Sequence, residues 1–332
     1  MEELVYLSEH KIIDTLTETQ KRFINDIREK GISKALELLS PHKNGDELTY
    51  PEEVVFTWED TKKTDYLFEL SLDKKFTAPY KVRTKKNSVS YTNLRLGQTY
   101  YWRIDEGEIC SFETAEGFVR FIKADGALNI RDVGGNKIKQ GLIYRGSEIN
   151  REYKLTEDGK RVLREQLGIK AELDLRGECD GTKNVSCLGE EVQYKYLPYR
   201  PYKELFEDVH RRSIVEIMEF LSDEKNYPIY FHCYGGADRT GMIALYLRAL
   251  LGESDEDIFI DYELTSLSTY AAGCAEGVSA LGYRSHVMDY FVEFMELFKK
   301  YGNTLSEMTE AFLIECGVKK ETLAKIRSIL GK

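Results

Sequence analysis

Cys233 and Arg239 stand six positions apart in HCYGGADRTG, the spacing Cys-x5-Arg. A cysteine thiolate is a nucleophile that can attack phosphorus, and a guanidinium grips a phosphoryl group through parallel N–H donors. The residues between them, Tyr234, Gly235, Gly236, Ala237 and Asp238, are enough to curl into a loop with backbone N–H groups turned inward. Gly235 and Gly236 permit positive φ and a close backbone approach. Thr240 and Gly241 open an apolar stretch, so a helix N-terminus would add its partial positive charge. Cys-x5-Arg alone is a weak signal. Of the six cysteines, however, only Cys233 has Arg at this offset, and the flanking residues agree with it. The chemistry expected is hydrolysis of a phosphomonoester through a phosphocysteine.

Such a site must also ionise its thiol. A free cysteine, with a pKa of about 8.5, is only about 3% thiolate at pH 7. A helix N-terminus and nearby cations lower that value to about 5. His232, just before the nucleophile, and the Thr240 hydroxyl are expected to support the thiolate by hydrogen bonds. An acid must protonate the leaving oxygen. Asp208 is one candidate, in a segment after a strand, with a helix N-cap as its other reading.

The elements that position these residues read as strand, loop and helix: PIYFH (228–232), then the loop, then TGMIALYLRALLG (240–252). LIYRG (142–146), IKAELDLR (169–176) and VQYKYLPY (192–199) read as further strands. TEDGKRVLREQL (156–167) and a segment within 208–221 read as helices, the latter with a core-facing stripe of Ile214, Val215, Ile217, Met218 and Leu221. Residues 255–332 read as mostly helical. This alternation argues for an α/β fold, a mostly parallel central sheet flanked by helices.

The first third differs. Residues 1–45 read as a helical segment, on the spacing of Ile12, Ile13, Leu16, Phe23, Ile24, Ile27, Ala35, Leu36 and Leu39, with Gly31 dividing two helices and a loop over 40–46. Residues 46–118 carry short β-rich runs at VVFTWE (54–59), DYLFELSL (65–72), SVSYTNL (88–94), TYYWRI (99–104) and ICSFET (109–114). DEGE (105–108) reads as a hairpin turn, and the whole as an all-β sandwich. Leu94, Leu96, Gly97, Tyr100 and Trp102, with Trp58, resemble the fibronectin type III pattern, which implies a packing or spacing domain whose partner the sequence does not name.

With 332 residues the chain exceeds one core, and 42% hydrophobic and 31% charged residues are ordinary for a globular protein. A net charge of −10, with KVRTKK (81–86) as the densest basic run, disfavours nucleic acid as a partner. That run reads as a solvated strand edge. No cysteine lies in a CxxC pair and no His pair has ligand spacing, so no metal is expected. No window suits a membrane span. The opening residues lack the features of a signal peptide, so a cytoplasmic protein is expected, or a secreted one if a signal has been trimmed.

HCYGGADRTG is similar to the signature loop of protein-tyrosine phosphatases. With Asp before the Arg, it resembles the atypical bacterial tyrosine/lipid phosphatases. ALNIRDVGG (127–135), GLIYRGSEI (141–149), AELDLRGECD (171–180) and FLIECGVKKETLAKIRSIL (312–330) resemble other segments of that subfamily. The resemblance implies a catalytic domain over 119–332, no cofactor, and Cys233, Arg239 and Asp238 as the catalytic set. The phosphate would lie among Tyr234, Gly235, Gly236, Ala237, Thr240 and Gly241. Members often carry Lys where Ala237 stands, which weighs against strong phosphoinositide activity.

Beyond the loop, Asp174 and Arg176 fall at a strand's C-terminal end, where α/β sites gather. Tyr199, Arg200 and Tyr202 are candidates to line the mouth and stack on substrate, with packing as the other reading. Arg131 and Asp132 are expected to brace the fold beneath the loop. The substrate is then a phosphorylated protein, with phosphotyrosine or dual specificity, or an inositol phosphate or phosphoinositide. An inositol phosphate calls for basic residues such as those near 183 and 200–212. A non-catalytic phosphate-binding module and reactive-thiol chemistry are the remaining alternatives.

Overall fold

The computed structural model describes residues 12–31, 47–59, 65–177, 185–270 and 288–332. The helix expected across Ala35, Leu36 and Leu39, the loop over 40–46, Lys183, Cys179 and Cys274 lie outside the described residues.

The part of the chain that carries Cys233 is built on a six-stranded sheet. Its strands are β8 (Arg120–Phe121), β9 (Arg131–Asp132), β10 (Ile143–Gly146), β11 (Ala171–Asp174), β12 (Gln193–Tyr196) and β13 (Ile229–His232), in the order β12-β11-β13-β10-β9-β8. Strands β12, β11, β13 and β10 run parallel, and β9 and β8 add an antiparallel edge. All four residues of β13 are buried, as a continuous apolar run must be when both faces of a parallel sheet are covered.

From the end of β13 the chain turns through the loop into helix α4 (Asp238–Leu250), buried on every side from Thr240 onward. That explains its apolar sequence all round. Around it lie α3 (Asp208–Leu221), α5 (Asp255–Glu263), α6 (Met288–Phe298), α7 (Leu305–Glu315) and α8 (Lys320–Leu330). Their inward faces share one core with the sheet, including Ile217 and Met218 of α3, Phe294 and Phe298 of α6, Phe312 of α7 and Ile326 of α8. On the other face, α2 (Glu157–Arg161) starts at Thr156, whose hydroxyl accepts from the Gly159 N–H.

The front third is all-β between residues 54 and 114. A five-stranded sheet has the order β1-β7-β6-β3-β4, from β3 (Tyr66–Ser71), β4 (Tyr80–Thr84), β6 (Thr99–Ile104), β7 (Cys110–Thr114) and β1 (Ile12–Ile13). It shares a core with the pair β2 (Val54–Thr57) and β5 (Ser88–Tyr91): Val54, Phe56 and Val89 meet Phe68, Leu70, Tyr100, Trp102 and Phe112. The Tyr100 hydroxyl accepts from the Arg95 N–H at 2.8 Å. KVRTKK begins on edge strand β4, whose residues are mostly exposed.

One sequence expectation is corrected here. Ile12 and Ile13 are not helical; they pair in parallel with Glu113 and Thr114 of β7. Ile13 is buried and Ile12 is 64% exposed, the alternation of a strand, which two adjacent isoleucines cannot distinguish from helical spacing. The first described helix, α1 (Glu18–Lys30), begins only after Thr17, which forms a capping box with Gln20. Its Phe23 and Ile24 pack with Phe118, Phe121, Ile260 and Leu264, so the helix joins the part that carries Cys233 rather than standing apart.

Polar side chains lock the two halves together. Asn93 accepts from the Lys123 N–H and donates to the Lys123 carbonyl and to Gln166. Arg120 donates to the Leu94 and Asn93 carbonyls and to Asp132, whose other bonds come from the Gly134 and Gly141 N–H groups.

Candidate active site

Cys233 follows β13 directly and is 3% exposed. The loop after it is held from outside by its carbonyls. The Cys233 carbonyl faces His232 Nδ1 at 3.1 Å, and the Tyr234 carbonyl accepts from the Glu148 N–H at 2.8 Å. Asn129 Nδ2 donates to the Gly235 and Gly236 carbonyls at 3.1 and 3.3 Å, and Arg145 Nη2 donates to Gly236 at 2.9 Å. In a trans peptide the N–H points opposite to the C=O. With the carbonyls of residues 233 to 236 turned toward the scaffold, the N–H groups of 234 to 237 turn into the loop. That arrangement, at the N-terminus of α4, is an anion cradle.

Glycine is required by contact as well as conformation. Gly236 has φ +69°, and a Cβ there would lie 2.3 Å from the Gly146 carbonyl carbon. A Cβ on Gly235 would strike the Tyr270 ring at 2.4 Å. A Cβ on Gly241 would come within 2.7 Å of Tyr262.

Behind the loop is a buried charge cluster. Arg131 Nε and Arg145 Nη1 donate to the two Asp261 carboxylate oxygens at 2.9 and 2.7 Å, and Arg248 lies 3.6 Å from the same group. Burial and the Arg145 charge pull the Arg131 pKa down to about 10. Burial opposes the charge of Asp261, yet the three arginines hold its carboxyl well below the usual range. Arg131 also donates to the Asn129 side-chain oxygen, so the cluster reaches the loop carbonyls through Asn129.

His232 does not aim at the thiol as expected. Its Nε2 faces the Glu172 carboxylate at 2.9 Å, its Nδ1 faces the Cys233 carbonyl, and Asp174 lies 4.0 Å away. The strand register explains this, because β11 sets Asp174 beside His232 and Glu172 beside Tyr230. Both ring nitrogens meet acceptors, which favours the doubly protonated ring. Burial opposes that charge, but Asp174 and Glu172 outweigh it and raise the His232 pKa. Thr240 also departs from expectation: its buried hydroxyl meets no hydrogen-bond partner among the described residues.

Asp238 is the first residue of α4 and accepts a bond from the Tyr202 hydroxyl. Arg239 is partly exposed, with Nη1 donating to the Leu175 carbonyl at 3.4 Å and its own carbonyl accepting from Tyr199. Tyr199 and Tyr202 are buried, so neither lines the mouth; both brace the start of α4. Arg200 is exposed. Asp208 is not an N-cap: Glu207 holds that position and makes no capping bond, while Asp208 is an exposed first residue of α3. Arg176 is fully buried and pairs with Asp174 and Glu148.

Sequence reading missed Asn129, Arg145, Glu172, Asp261, Tyr262 and Tyr270. Asn129, Arg145 and Glu172 lie inside the segments already singled out, Asn129 two positions from Arg131 and Glu172 two from Asp174. Asp261 and Tyr262 sit in α5, within residues 255–332 that the sequence reading took only as mostly helical. Aromatic rings gather beside Tyr234 of the loop. Tyr234 stands edge-on to Tyr153 and to Tyr270, with centroids 5.6 and 6.1 Å apart, and its hydroxyl donates to Glu152.

Residues 122–332 match the model of the tyrosine phosphatase family, and the chain belongs to that family. It is a phosphatase of the cysteine-dependent, protein-tyrosine-phosphatase type. Among solved structures it is similar to the core catalytic domain of the PP-IP phosphatase SIW14 from S. cerevisiae in complex with citrate. That match has 22% identity and a TM-score of 0.31, and covers 39% of this chain and 75% of the other. A second structure of the Siw14 catalytic core gives 22% and 0.31, over 43% and 84%. No curated protein matches. Among the described residues no helix is long and apolar enough to cross a membrane.

Proposed function

We propose that the chain hydrolyses phosphotyrosine, with Cys233 as nucleophile, Arg239 and the loop N–H groups as phosphate ligands, and Asp238 as general acid. The thiolate attacks phosphorus and forms the S–P bond while the P–O bond to the tyrosyl oxygen breaks. Asp238 gives that oxygen its proton, and Arg239 and the loop N–H groups neutralise charge on the equatorial oxygens. Water then attacks the phosphocysteine, the S–P bond breaks, and the proton returns to Asp238.

The observation that carries the substrate assignment is the cluster of Tyr153, Tyr234 and Tyr270 at the loop, with Glu152 bound to the Tyr234 hydroxyl. Aromatic edges and faces suit a phenyl ring, and a carboxylate beside them repels a substrate bearing many phosphates. Of the basic residues near 200–212, Lys203 pairs with Glu293 at 3.3 Å and Arg211 with Glu315 at 3.0 Å, while Arg200 and Arg212 are exposed. The β-sandwich over 46–118 is read as a fibronectin type III-like spacing domain.

The test compares wild type with Cys233→Ser on a phosphotyrosine peptide, a phosphoserine peptide, a phosphoinositide and inositol hexakisphosphate, in chelator. Phosphotyrosine is expected to be fastest, and the variant slower by about 10⁴-fold or more. Comparable release from phosphoserine would make the enzyme dual-specific. Faster release from either inositol substrate would overturn the substrate reading while leaving the nucleophile standing. No release from any would leave a phosphate-binding module.

A further inference from the structure

The segment after β12 holds a strained aromatic residue bonded to the first residue of α4. Tyr202 has φ +63°, a left-handed conformation that a bulky side chain rarely adopts. It is 6% exposed and opens a 3₁₀ turn, Tyr202–Phe206, just after Pro201. Strain of this kind persists only where surrounding contacts over-determine it. Here the ring stacks near Tyr290 of α6 at 6.4 Å and stands edge-on to Phe291 at 6.5 Å. Its hydroxyl bonds both the Asp238 Oδ1 and the Tyr262 hydroxyl.

A phenol has one hydrogen to give. If Tyr202 donates to the carboxylate, Tyr262 must donate to Tyr202, so the chain runs Tyr262 to Tyr202 to Asp238. Burial, with the neighbouring Tyr262 and Asp238, keeps the Tyr202 pKa well above the usual tyrosine value, so the hydroxyl retains its hydrogen. The same holds for Tyr262. Tyr262 is itself wedged against Gly241 in the first turn of α4. The bond occupies Oδ1, which leaves Oδ2 as the oxygen to carry the proton. Tyr199, three residues earlier, fixes the Arg239 carbonyl in the same way.

We propose that Tyr202, backed by Tyr262, is a positioning residue that orients the Asp238 carboxyl for proton delivery to the leaving group. The segment after β12 thus supplies a brace for an acid on the loop, and Asp208 has no part in proton transfer. This rests on Asp238 being the acid.

The test uses the full chain and two substrates that differ in the leaving phenol: a phosphotyrosine peptide, whose phenolate needs protonation, and a nitrophenyl phosphate, whose more acidic phenol needs it far less. Asp238→Asn is expected to lower kcat on the peptide by about 10²-fold or more and on the nitrophenyl ester much less. Tyr202→Phe should show the same pattern at about tenfold, with KM little changed, since it misplaces the acid without removing it. Tyr262→Phe should follow with a smaller loss in the same direction, and it carries the test if Tyr202→Phe does not fold. Equal loss on both substrates, or no loss on either, from the tyrosine variants would overturn the positioning role. If Asp238→Asn itself fails to separate the two substrates, the acid assignment has failed first, and the brace falls with it.

Discussion

The two buried regions of this protein are held together differently. The front sandwich is fastened by rings: Phe56 packs with Phe68, Trp102 and Phe112 at centroid distances of 5.0 to 5.7 Å. Beneath the phosphate loop the same depth of burial is filled with charge: Arg131, Arg145, Arg248 and Asp261 on one side, and Glu148, Glu172, Asp174, Arg176 and His232 on the other. Apolar packing is non-directional and tolerates small displacements. A buried ionic network fixes positions but leaves an uncompensated charge when one member is lost. The site that must hold backbone carbonyls in place uses the second, and the front β region uses the first.

Asp261→Asn breaks the comparison hardest. It leaves three buried arginines without their common counter-charge and should cost about 3–5 kcal/mol in denaturant unfolding, with most turnover lost. Asp261 has a depressed pKa in the fold. Its contribution is therefore present above the unfolded carboxyl value of about 3.9 and is lost as pH falls through the folded value. Phe56→Ala should cost a similar 3–5 kcal/mol, roughly, by opening a cavity. Under fully folding conditions it should nevertheless leave kcat/KM within about twofold, because nothing it touches reaches the loop. A large loss of activity from Phe56→Ala would show that the two regions are coupled.

Gly236→Ala sharpens the contrast from the other side. The added methyl meets the Gly146 backbone at a positive φ, so the loop must move: kcat/KM should fall by about 10²-fold, and the unfolding midpoint should fall with it. The smallest effect concerns pH. His232 is raised in the fold, so its contribution to stability is complete below the unfolded value near 6.5 and is lost as pH rises through the folded one. The stability gap between wild type and Glu172→Gln should therefore narrow as pH rises, by no more than about 1.4 kcal/mol per unit for one proton. A gap that is flat or widens would mean that Glu172 does not hold the histidine charged. Phe56→Ala should show no such slope.

Much of this was legible in the sequence because backbone requirements leave local marks. The strand before Cys233, the paired glycines and the apolar helix after Arg239 are one continuous stretch, and each follows from its own residues. The partners that hold the loop are not local. Asn129 meets Gly235 across 106 positions and Arg131 meets Asp261 across 130, and no spacing rule joins them. The orientation of His232 depended on strand register, which sets Glu172 and Asp174 at its ring. Tyr199 and Tyr202 stay open between mouth and packing in the sequence because an aromatic near a loop looks the same whether it faces solvent or the helix behind. Ile12 and Ile13 were misread because two residues carry no period.

The loop carbonyls also bear on how the chain becomes active. Their partners come from residues 129, 145, 148 and 232, brought together only when the sheet has closed in the order β11-β13-β10-β9. Contacts so distant along the chain form after local ones, since loop closure must precede them. A refolding molecule would regain its helices before it could bind phosphate. Recovery of catalysis should therefore trail recovery of circular dichroism, so that an active molecule is one whose assembly is complete.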